Sequence, residues 1–250
     1  MIDSKIEGKI ARITLNRPEK RNALDDRMIV DLLHALSLAG LRHEVAVTAI
    51  SGAGPDFCTG MDIAMLQETE NANVLEHLES ARTLGGMYCA IRRHAHPVVA
   101  AVRGRALGGG CGIATACDVV LAAESAQFGY PEVNIGFVPA IVMSMLRRTV
   151  GEKRAFEMLV SGKPVSAREA LEIGLITRVF ADADFETRVD EYLRELSEKS
   201  VSAVALTKRL LHHIDGMSFE AAIEAGAEIN AIARTTEDAR QGFRRFSKRK

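Results

Sequence analysis

Three consecutive glycines in the segment RALGGGCG, residues 105–112, constrain the fold of this chain more than any other part of its sequence. Glycine loses more backbone freedom on folding than any other residue, so a run of three requires a turn or a close approach to the bare backbone. The preceding run PVVAAV is typical of a buried strand, and the small residues that follow predict a short helix over 110–116. The glycines therefore lie where a strand turns into a helix. Such a turn either presents free N–H groups to an anion or only permits close helix–strand packing.

Strand and helix patterns before and after this turn predict an α/β domain. Alternating hydrophobicity predicts a strand over Ile10–Leu15 and another over 45–51, and an amphipathic helix over 25–39 lies between them. Two further apolar runs, Val98–Val102 and residues 119–122, are candidates for buried strands on either side of the glycines.

Helical patterns dominate the last third of the chain. Residues 166–169, SARE, have the form of a capping box, in which the first and last side chains bond each other's backbone N–H at a helix start. Helical spacing continues over 184–199, 202–213, 218–233 and 237–246. We therefore predict a core formed by residues 1–190 and a helical C-terminal region formed by residues 191–250.

Composition and charge exclude several classes of protein. With 250 residues and 47% hydrophobic content, the chain can bury a sizeable core as one domain. Its 32 basic and 33 acidic residues give a net charge of −1, which argues against a general nucleic-acid binder. There is no apolar run of about 18 residues and no secretory signal at the start, so we expect a soluble, cytoplasmic protein with no membrane partner. The four cysteines lack C-x-x-C spacing, and we expect neither a zinc site nor a disulfide framework.

Common nucleotide-binding and hydrolase signatures do not match the glycine turn. A P-loop requires Lys followed by Ser or Thr after its second glycine, and G-x-G-x-x-G requires a glycine where this chain has Ile113. The nucleophile signature of α/β-hydrolases, G-x-S-x-G, is absent. His94 and His96 alternate in RRHAHP, but a third metal ligand is not evident, so we interpret them as surface or packing residues. No metal is expected.

A second glycine-rich turn makes the chain similar to a known family. GAGPDFCTGMDI, NRPEKRNALD, VRGRALGGGCG and FGYPEVNIGFVP resemble, in order and spacing, the motifs of the enoyl-CoA hydratase/isomerase, or crotonase, family. The resemblance implies a spiral of β-β-α turns followed by a C-terminal helical region that mediates trimers, commonly stacked as hexamers. It also implies an acyl-CoA thioester as the ligand, whose carbonyl oxygen is held by the backbone N–H groups of Met61 and Gly109. Coenzyme A would be part of the substrate, so no separate cofactor is implied.

Further substrate contacts follow from the same resemblance. Lys20 and Arg21 would reach the coenzyme A phosphates, although exposed basic residues beside a turn are equally often only solvated. Asp62 would lie beside coenzyme A, or act as a turn or N-cap residue. Many relatives have a lysine where this chain has Ala64, so Lys248 or Arg249 from a neighbouring subunit would supply the missing charge. The remaining implied contacts are Ala23, Gly60, Ile63 and Gly108.

The acid–base residues decide how far the resemblance extends to function. Hydratases of this family usually carry two glutamates, and here the second is Glu132 whereas the first position is Gly112. A glutamate at an apolar pocket has a raised pKa and can carry a proton near neutral pH. Glu132 alone suffices to move a double bond, whereas adding water also requires a group that orients the water. However, the glycine at position 112 and the run IGFVPA also resemble single-glutamate hydratases of branched or carboxylated enoyl-CoAs, in which substrate groups, ordered water or another side chain would take that role. Asn134, on the same face as Glu132 if this segment is extended, is one candidate, and a local turn bond is its alternative role.

The sequence therefore predicts an enzyme that isomerises or hydrates an enoyl-CoA thioester through a backbone oxyanion hole and a single glutamate. Two alternatives stay open at this point. The first is a crotonase-fold protein that binds RNA or another partner and has lost catalysis. The second is an enzyme of the aryl-CoA dehalogenase type, although the expected carboxylate is replaced by Phe137, Val138 and Pro139.

Overall fold

The computed structural model describes residues 1–247, so the predicted ligand Lys248 and its alternative Arg249 lie outside the described residues. The strands are β1 Ile2–Glu7, β2 Ile10–Leu15, β3 Val47–Gly52, β4 Val98–Val102, β5 Arg105–Leu107, β6 Val119–Ala123, β7 Gln127–Gly129, β8 Val165–Ser166 and β9 Arg178–Phe180. The helices are α1 Asp26–Gly40, α2 Ile63–Glu68, α3 Val74–Arg93, α4 Gly109–Ala116, α5 Ala140–Val150, α6 Glu152–Ser161, α7 Ala167–Glu172, α8 Phe185–Ser197, α9 Val201–His213, α10 Phe219–Thr235 and α11 Glu237–Ser247.

Two sheets form the core of the fold. The larger has the order β1-β2-β3-β4-β6-β9, in which only the β1–β2 pair is antiparallel. The smaller has the order β5-β7-β8, and an isolated bridge between Cys58 and Ala106 extends it to the turn after β3. A strand of the large sheet is thus followed by a segment of the small sheet and then by a helix, as in β4-β5-α4 and β6-β7-α5. This repeat is the predicted spiral of β-β-α turns.

Apolar strands explain why helices cover both faces of the large sheet. All five residues of β4 are buried, as expected for a parallel strand covered on both sides. One face packs against α1, α3 and α4 through side chains such as Leu32, Ile91 and Ile113. The opposite face packs against Val189 and Leu193 of α8. The sheet is therefore held rigidly, and the turns at its strand ends are placed accurately.

Helices α1, α4 and α8–α11 and strands β2, β3, β4 and β6 lie close to the residues over which the sequence predicts them. Helix α1 begins after Asp25, whose side chain accepts a hydrogen bond from the Met28 N–H at 2.8 Å, and the predicted capping box at Ser166 and Glu169 is present. Strand β1, the short strands β5, β7, β8 and β9, and helices α2, α5 and α6 were not predicted from the sequence. Residue 190 lies inside α8, where Asp190 forms an ion pair with Arg12 at 2.6 Å, and the division of the chain at that residue stays a prediction. No helix within residues 1–247 is long and apolar enough to span a membrane.

The C-terminal helices expose apolar side chains that the chain itself does not cover. Neither α10 nor α11 has a buried residue. Phe219 and Ile223, one helical turn apart on α10, are 75% and 60% exposed, and Phe243 of α11 is 62% exposed. Large apolar surfaces of this kind mark contact sites with other molecules. These faces agree with the expected self-association, which stays a prediction.

We expect this chain to form trimers or hexamers and the double variant Phe219→Asp/Ile223→Asp to form monomers of 27.1 kDa. Charged groups on one helix face would have to be desolvated in an apolar interface, which is costly. Size-exclusion chromatography with light scattering measures the mass. The control is Val30→Asp/Leu38→Asp, which changes two exposed apolar residues of α1 and should keep the assembly. A monomeric unmodified protein would contradict the prediction.

Candidate active site

A fork of hydrogen bonds holds the glycine turn after β3 against the start of β5. Arg105 donates through Nε to Asp56 Oδ1 at 2.8 Å and through a terminal nitrogen to Oδ2 at 2.7 Å, and its backbone N–H donates to Oδ1 at 3.0 Å. The Asp56 side chain is nearly inaccessible, and the Arg105 guanidinium holds the pKa of this carboxyl below its usual range. Two-point pairing of arginine and carboxylate fixes direction as well as distance. The turn therefore has a defined position relative to the second glycine turn.

Asn22 fixes the same turn from the opposite side. It is fully buried and has a left-handed backbone with a φ of 55°, which asparagine adopts more readily than most residues. Its Nδ2 donates to the carbonyl oxygens of Ala53 at 2.9 Å and Asp56 at 2.8 Å, and its Oδ1 accepts from the Arg17 N–H at 2.9 Å. Asn22, the second asparagine of NRPEKRNALD, therefore joins this segment to the glycine turn. The sequence analysis assigned it no role.

The Met61 N–H group points away from Leu24, with which Met61 forms a β-bridge. Leu24 donates its N–H to Gly60 O at 2.7 Å and accepts from the Asp62 N–H at 2.8 Å. In such a parallel bridge, the residue between the two bonded groups turns its own N–H to the opposite side. No acceptor bonds the Met61 N–H within residues 1–247. A Cβ on Gly60, whose φ is +95°, would lie 3.4 Å from the Gly109 nitrogen, so the two turns are in contact here.

The Gly109 N–H group points away from the helix that it begins. Gly108 O accepts from the Gly112 N–H at 2.9 Å, and the peptide between Gly108 and Gly109 is trans. Because C=O and N–H of a trans peptide point in opposite directions, the Gly109 N–H faces out of α4. The first residue of a helix has no partner for this group within the helix, and no other acceptor for it is found in the described part of the chain.

The glycines of both turns are required by contacts between backbones. A Cβ on Gly110 would overlap the carbonyl group of Cys58, and a Cβ on Gly109 would lie 3.1 Å from Leu24 Cδ1. Gly108 has a φ of +51°, which disfavours any side chain. The packing interpretation of the triple glycine is therefore correct for Gly110. It is compatible with a binding role for Gly108 and Gly109, because both residues line a cavity.

An apolar cavity of about 340 Å³ opens beside the two turns. Met61, Gly109 and Glu132 all line it. Most of its remaining wall comes from α3 and from residues 137–142. The predicted contacts Gly60, Ile63 and Gly108 lie in the same wall.

Glu132 is the ionisable carboxylate of this cavity. It lies in a short 3-10 helix, Pro131–Ile135, directly after β7. Its Oε2 is buried and has no hydrogen-bond partner among residues 1–247, and its Oε1 lies 3.1 Å from the place that a Cβ on Gly108 would take. Burial raises the pKa of this carboxyl above its ordinary value, because the charged form loses solvation. An unpaired carboxylate in an apolar cavity is suited to accept and return a proton.

Tyr88 reaches the same place from α3. It is 2% exposed, and its hydroxyl donates to the Gly109 carbonyl oxygen at 3.0 Å. The sequence analysis did not single it out, because a tyrosine within an amphipathic helix carries no signal of the loop that it will meet.

Four of the predicted substrate contacts lie outside the cavity wall. Lys20 and Arg21 are exposed, and no ion pair involves their side chains within residues 1–247. The Arg21 carbonyl accepts from the Thr59 N–H at 3.2 Å, which places Arg21 beside the cavity rim. Ala23 is buried below the rim. The fourth contact, Asp62, is described next.

Asp62 takes the N-cap role that the sequence left as an alternative. Its Oδ1 accepts from the Ala64 N–H at 3.0 Å at the start of α2, and its Oδ2 forms an ion pair with Arg17 at 2.8 Å. Arg17 also pairs with Asp25 at 3.2 Å. The arginine thus links the starts of α1 and α2, and the Asp62 side chain is already occupied by contacts within the protein.

The expectation for Asn134 needs a correction. An extended segment would place it on the same face as Glu132, but these residues form a 3-10 helix instead, because Pro131 starts the turn and Gly136 ends it with a φ of 74°. Asn134 Nδ2 donates to Gly162 O at 3.1 Å. Asn134 is one of the residues that line the cavity, but its side-chain amide is bound to a distant loop rather than to its own turn.

His94, His96, Cys58 and Cys111 are buried side chains with packing roles. His94 and His96 are buried, and the two ring nitrogens of His94 lie 3.0 Å from His96 O and 3.1 Å from Leu36 O. No cluster of three metal-ligating side chains occurs within residues 1–247. Burial raises the pKa of the Cys58 thiol to about 12 and that of Cys111 to about 11, so neither forms the reactive thiolate near neutral pH.

A larger cleft of about 640 Å³ lies between the ends of α3 and α9. It is lined by basic residues that include Arg92, Arg209 and Lys208, and Lys208 is paired with Asp118 at 2.7 Å. Neither glycine turn nor Glu132 reaches this cleft. Size alone therefore does not identify the site, and the smaller cavity has the groups that can act on a carbonyl compound.

We expect Glu132→Gln to stabilise the fold near neutral pH. A carboxyl whose pKa is raised by folding contributes stability below its ordinary pKa, 4.5, and loses that contribution as the pH rises through the raised value. Glutamine stays neutral, so the variant should be more stable than the unmodified protein near pH 7 and no more stable near about pH 4. Urea denaturation across this range measures the difference, and Glu172→Gln on the exposed face of α7 is the control. A difference that is independent of pH would contradict the raised pKa.

Sequence comparison relates the whole chain to proteins of one kind. A family model described as enoyl-CoA hydratase/isomerase matches residues 5–250. The chain is 36% identical over 240 residues to a putative enoyl-CoA hydratase of Thermus thermophilus, which covers 96% of this chain and 95% of the relative. It is 30% identical over 242 residues to the 2,3-dehydroadipyl-CoA hydratase of Escherichia coli, with 96% and 92% covered.

Solved structures give the same result for the fold. The chain is similar to an enoyl-CoA hydratase of Mycobacterium smegmatis with a TM-score of 0.93 and 29% identity, covering 100% of this chain and 96% of the other. It is similar to human enoyl-CoA hydratase domain-containing protein 3 with a TM-score of 0.94 and 28% identity, covering 100% and 98%. The predicted α/β fold of the crotonase type is thereby confirmed.

Proposed function

Because the chain belongs to the enoyl-CoA hydratase/isomerase family, we propose that it acts on an enoyl-CoA thioester by stabilising an enolate and moving a proton with Glu132. The observation that supports this most is the buried, unpartnered Glu132 Oε2. Glu132 lines the same cavity as Met61 and Gly109, the two residues whose N–H groups have no acceptor within residues 1–247. The product is either a shifted double bond or a hydrated acyl chain.

In this proposal, the two N–H groups bind the thioester oxygen. Removing a proton next to a thioester places negative charge on that oxygen, and preorganised donors stabilise the charge most strongly in a site that excludes water. The Met61 N–H points away from Leu24, and the Gly109 N–H faces out of α4. The Met61 side chain contributes only its packing, so its backbone geometry matters more than its chemical type.

Glu132 supplies the acid–base chemistry of the proposed reaction. The pKa of Glu132 is raised and so lies closer to a neutral working pH than that of an ordinary carboxyl. A pKa closer to the working pH favours both uptake and return of a proton. The carboxylate has no competing partner within residues 1–247. It is therefore available to the α-carbon of a substrate whose oxygen is held at the two turns.

The cavity favours an uncharged acyl chain. Its wall contains no lysine or arginine from the described residues, so a second carboxylate on the acyl group would be desolvated without a partner. The name of the Escherichia coli relative, 2,3-dehydroadipyl-CoA hydratase, implies such a substrate for that protein. We propose that this chain takes an aliphatic enoyl group instead. Coenzyme A would lie toward Lys20 and Arg21 at the rim.

The two alternative functions gain no support from the site. The segment where an aryl-CoA dehalogenase would carry its carboxylate holds Phe137, Val138 and Pro139, and all three line the cavity. A protein that only binds RNA does not need an unpaired carboxylate buried beside two free N–H groups.

We expect the protein to exchange the α-hydrogen of an enoyl-CoA in heavy water and Glu132→Gln to exchange it at least 10²-fold more slowly, the usual cost of losing an acid–base group. The panel contains straight-chain 2-enoyl and 3-enoyl thioesters, methylglutaconyl-CoA and an aryl thioester, and mass spectrometry follows deuterium and products. Glu172→Gln, at an exposed position of α7, is the matched control.

Equal exchange by the unmodified protein and by Glu132→Gln would refute the role of Glu132. No exchange with any thioester, together with RNA retention in a filter-binding assay, would favour the binding protein. Preference for methylglutaconyl-CoA over the straight-chain substrates would refute the proposed preference for an uncharged acyl chain. It would not affect the proposed role of Glu132 as proton carrier.

A further inference from the structure

Gly112, the position where two-glutamate hydratases carry their first carboxylate, has no room for any side chain. A Cβ there would lie 2.6 Å from Tyr88 Oη, 2.8 Å from Tyr88 Cζ and 2.7 Å from Val142 Cγ1. These distances are shorter than ordinary contacts between carbon or oxygen atoms. The space is therefore filled by the phenol ring from α3 and by an aliphatic side chain from α5, and the absent glutamate leaves no empty volume behind.

The Tyr88 hydroxyl also restrains a glycine of the oxyanion hole. Glycine can rotate freely about its Cα, so a catalytic N–H at Gly109 needs support from outside its own backbone. Gly108 O is fixed by the Gly112 N–H at 2.9 Å on one side. On the other side, Tyr88 Oη donates to Gly109 O at 3.0 Å. Both peptide groups that flank the Gly109 Cα are thus held, and Leu24 packs against it.

The phenol cannot replace a glutamate as a proton carrier. Burial raises the pKa of Tyr88 well above its ordinary value, and the nearby Glu132 carboxylate adds to this effect. The hydroxyl hydrogen is already used in the bond to Gly109 O, which is the only hydrogen bond of this group in the described part of the chain. Tyr88 therefore stays neutral and leaves Glu132 as the one group of the cavity that exchanges protons.

Other polar side chains of the cavity are turned toward the protein. The Thr59 hydroxyl donates to Arg21 O at 3.4 Å. The amide of Asn134 faces Gly162, since both its Nδ2 and its Oδ1 lie within 3 Å of the place that a Cβ on Gly162 would take. A water molecule that is to attack a double bond needs a group that orients it in addition to the base. Among residues 1–247, the cavity wall does not offer a second such group.

We propose that Tyr88 determines the reaction of this site: it positions Gly109 for enolate binding and excludes the water-orienting group, so the protein isomerises 3-enoyl-CoA to 2-enoyl-CoA and hydrates poorly. The inference rests on the proposed function. In the step itself, the Glu132 carboxylate takes a proton from C2, and the electron pair moves into the dienolate held by Met61 and Gly109. The pair then forms a C–H bond at C4 with the proton of the Glu132 carboxyl, which exchanges with solvent between the two transfers, and the carboxylate is restored with no net consumption of water or of any other reactant.

The test compares 3-hexenoyl-CoA and 2-hexenoyl-CoA as substrates of the full-length protein. We expect isomerisation to exceed hydration by at least about 10²-fold, the usual cost of a missing acid–base group. Tyr88→Phe should lower kcat for isomerisation about tenfold with KM nearly unchanged, because it loosens an oxyanion donor whose complete removal costs about 10²–10³-fold.

Tyr130→Phe is the matched control. Tyr130 is also fully buried, and its hydroxyl bonds Thr115 Oγ1 at 2.8 Å at the far end of α4, so this variant loses a comparable bond away from Gly109. Its kcat should stay close to that of the unmodified protein. Thermal unfolding of all three proteins shows whether each variant is folded at the assay temperature.

Three results would overturn the proposal. Hydration that is as fast as isomerisation in the unmodified protein would show that Tyr88 does not exclude the water reaction. An unchanged kcat in Tyr88→Phe would remove its positioning role, and an equal loss in Tyr130→Phe would make the effect a general one of buried hydroxyls. Each of these results leaves the proposed function intact as long as Glu132→Gln abolishes α-hydrogen exchange, whereas loss of the Glu132 effect would remove the proposed function itself.

Discussion

Contact between two glycine turns, without any intervening side chain, is the constraint on which the site depends. The turn after β3 meets the start of α4 so closely that a Cβ on Gly110 would overlap Cys58. Neither turn can hold this position by its own backbone, because glycine is the most permissive residue. The two-point pairing of Arg105 with the buried Asp56 and the three hydrogen bonds of Asn22 supply the missing rigidity. Because these side-chain hydrogen bonds hold the two turns in place, the backbone N–H groups of Met61 and Gly109 are not needed for this and have no acceptor within residues 1–247.

The electrostatics of the cavity depend on which polar side chains have hydrogen-bond partners. Nearly every buried polar side chain near the turns has a partner, and Arg17 alone links Asp25 and Asp62. Glu132 differs, since its Oε2 lacks a partner among residues 1–247. An isolated carboxyl in an apolar wall is costly to ionise, and this cost makes the group a proton acceptor near neutral pH. Tyr88 is neutral, fills the space beside Gly112 and donates a hydrogen bond to Gly109 O. It does not supply a second acid beside Glu132.

Sequence patterns predicted the long elements well and the short ones poorly. In helix α1 the spacing of the apolar residues indicates which face is buried. Strand β4 is a continuous apolar run, which is typical of a parallel strand covered on both faces. The strands β5, β7 and β9 have three residues each, too few for any period to appear. Asn134 shows a related error, since Pro131 starts a 3-10 turn where an extended segment was expected. Of the predicted contacts, Gly60, Met61, Ile63, Gly108, Gly109 and Glu132 meet in one cavity, whereas Asp62 caps a helix and binds Arg17.

The sequence by itself determined the family, the glycine turns and the single glutamate, because these depend on residue types at fixed positions along the chain. It also showed that a carboxylate is missing at Gly112. Only the tertiary structure decided what replaces that carboxylate, since Tyr88 and Val142 come from helices far apart in the sequence, and only folding packs them against Gly112. The partners of Asn22 and Asp56 were hidden for the same reason. A contact between distant segments depends on how whole elements pack, and the local pattern around either residue does not contain that information.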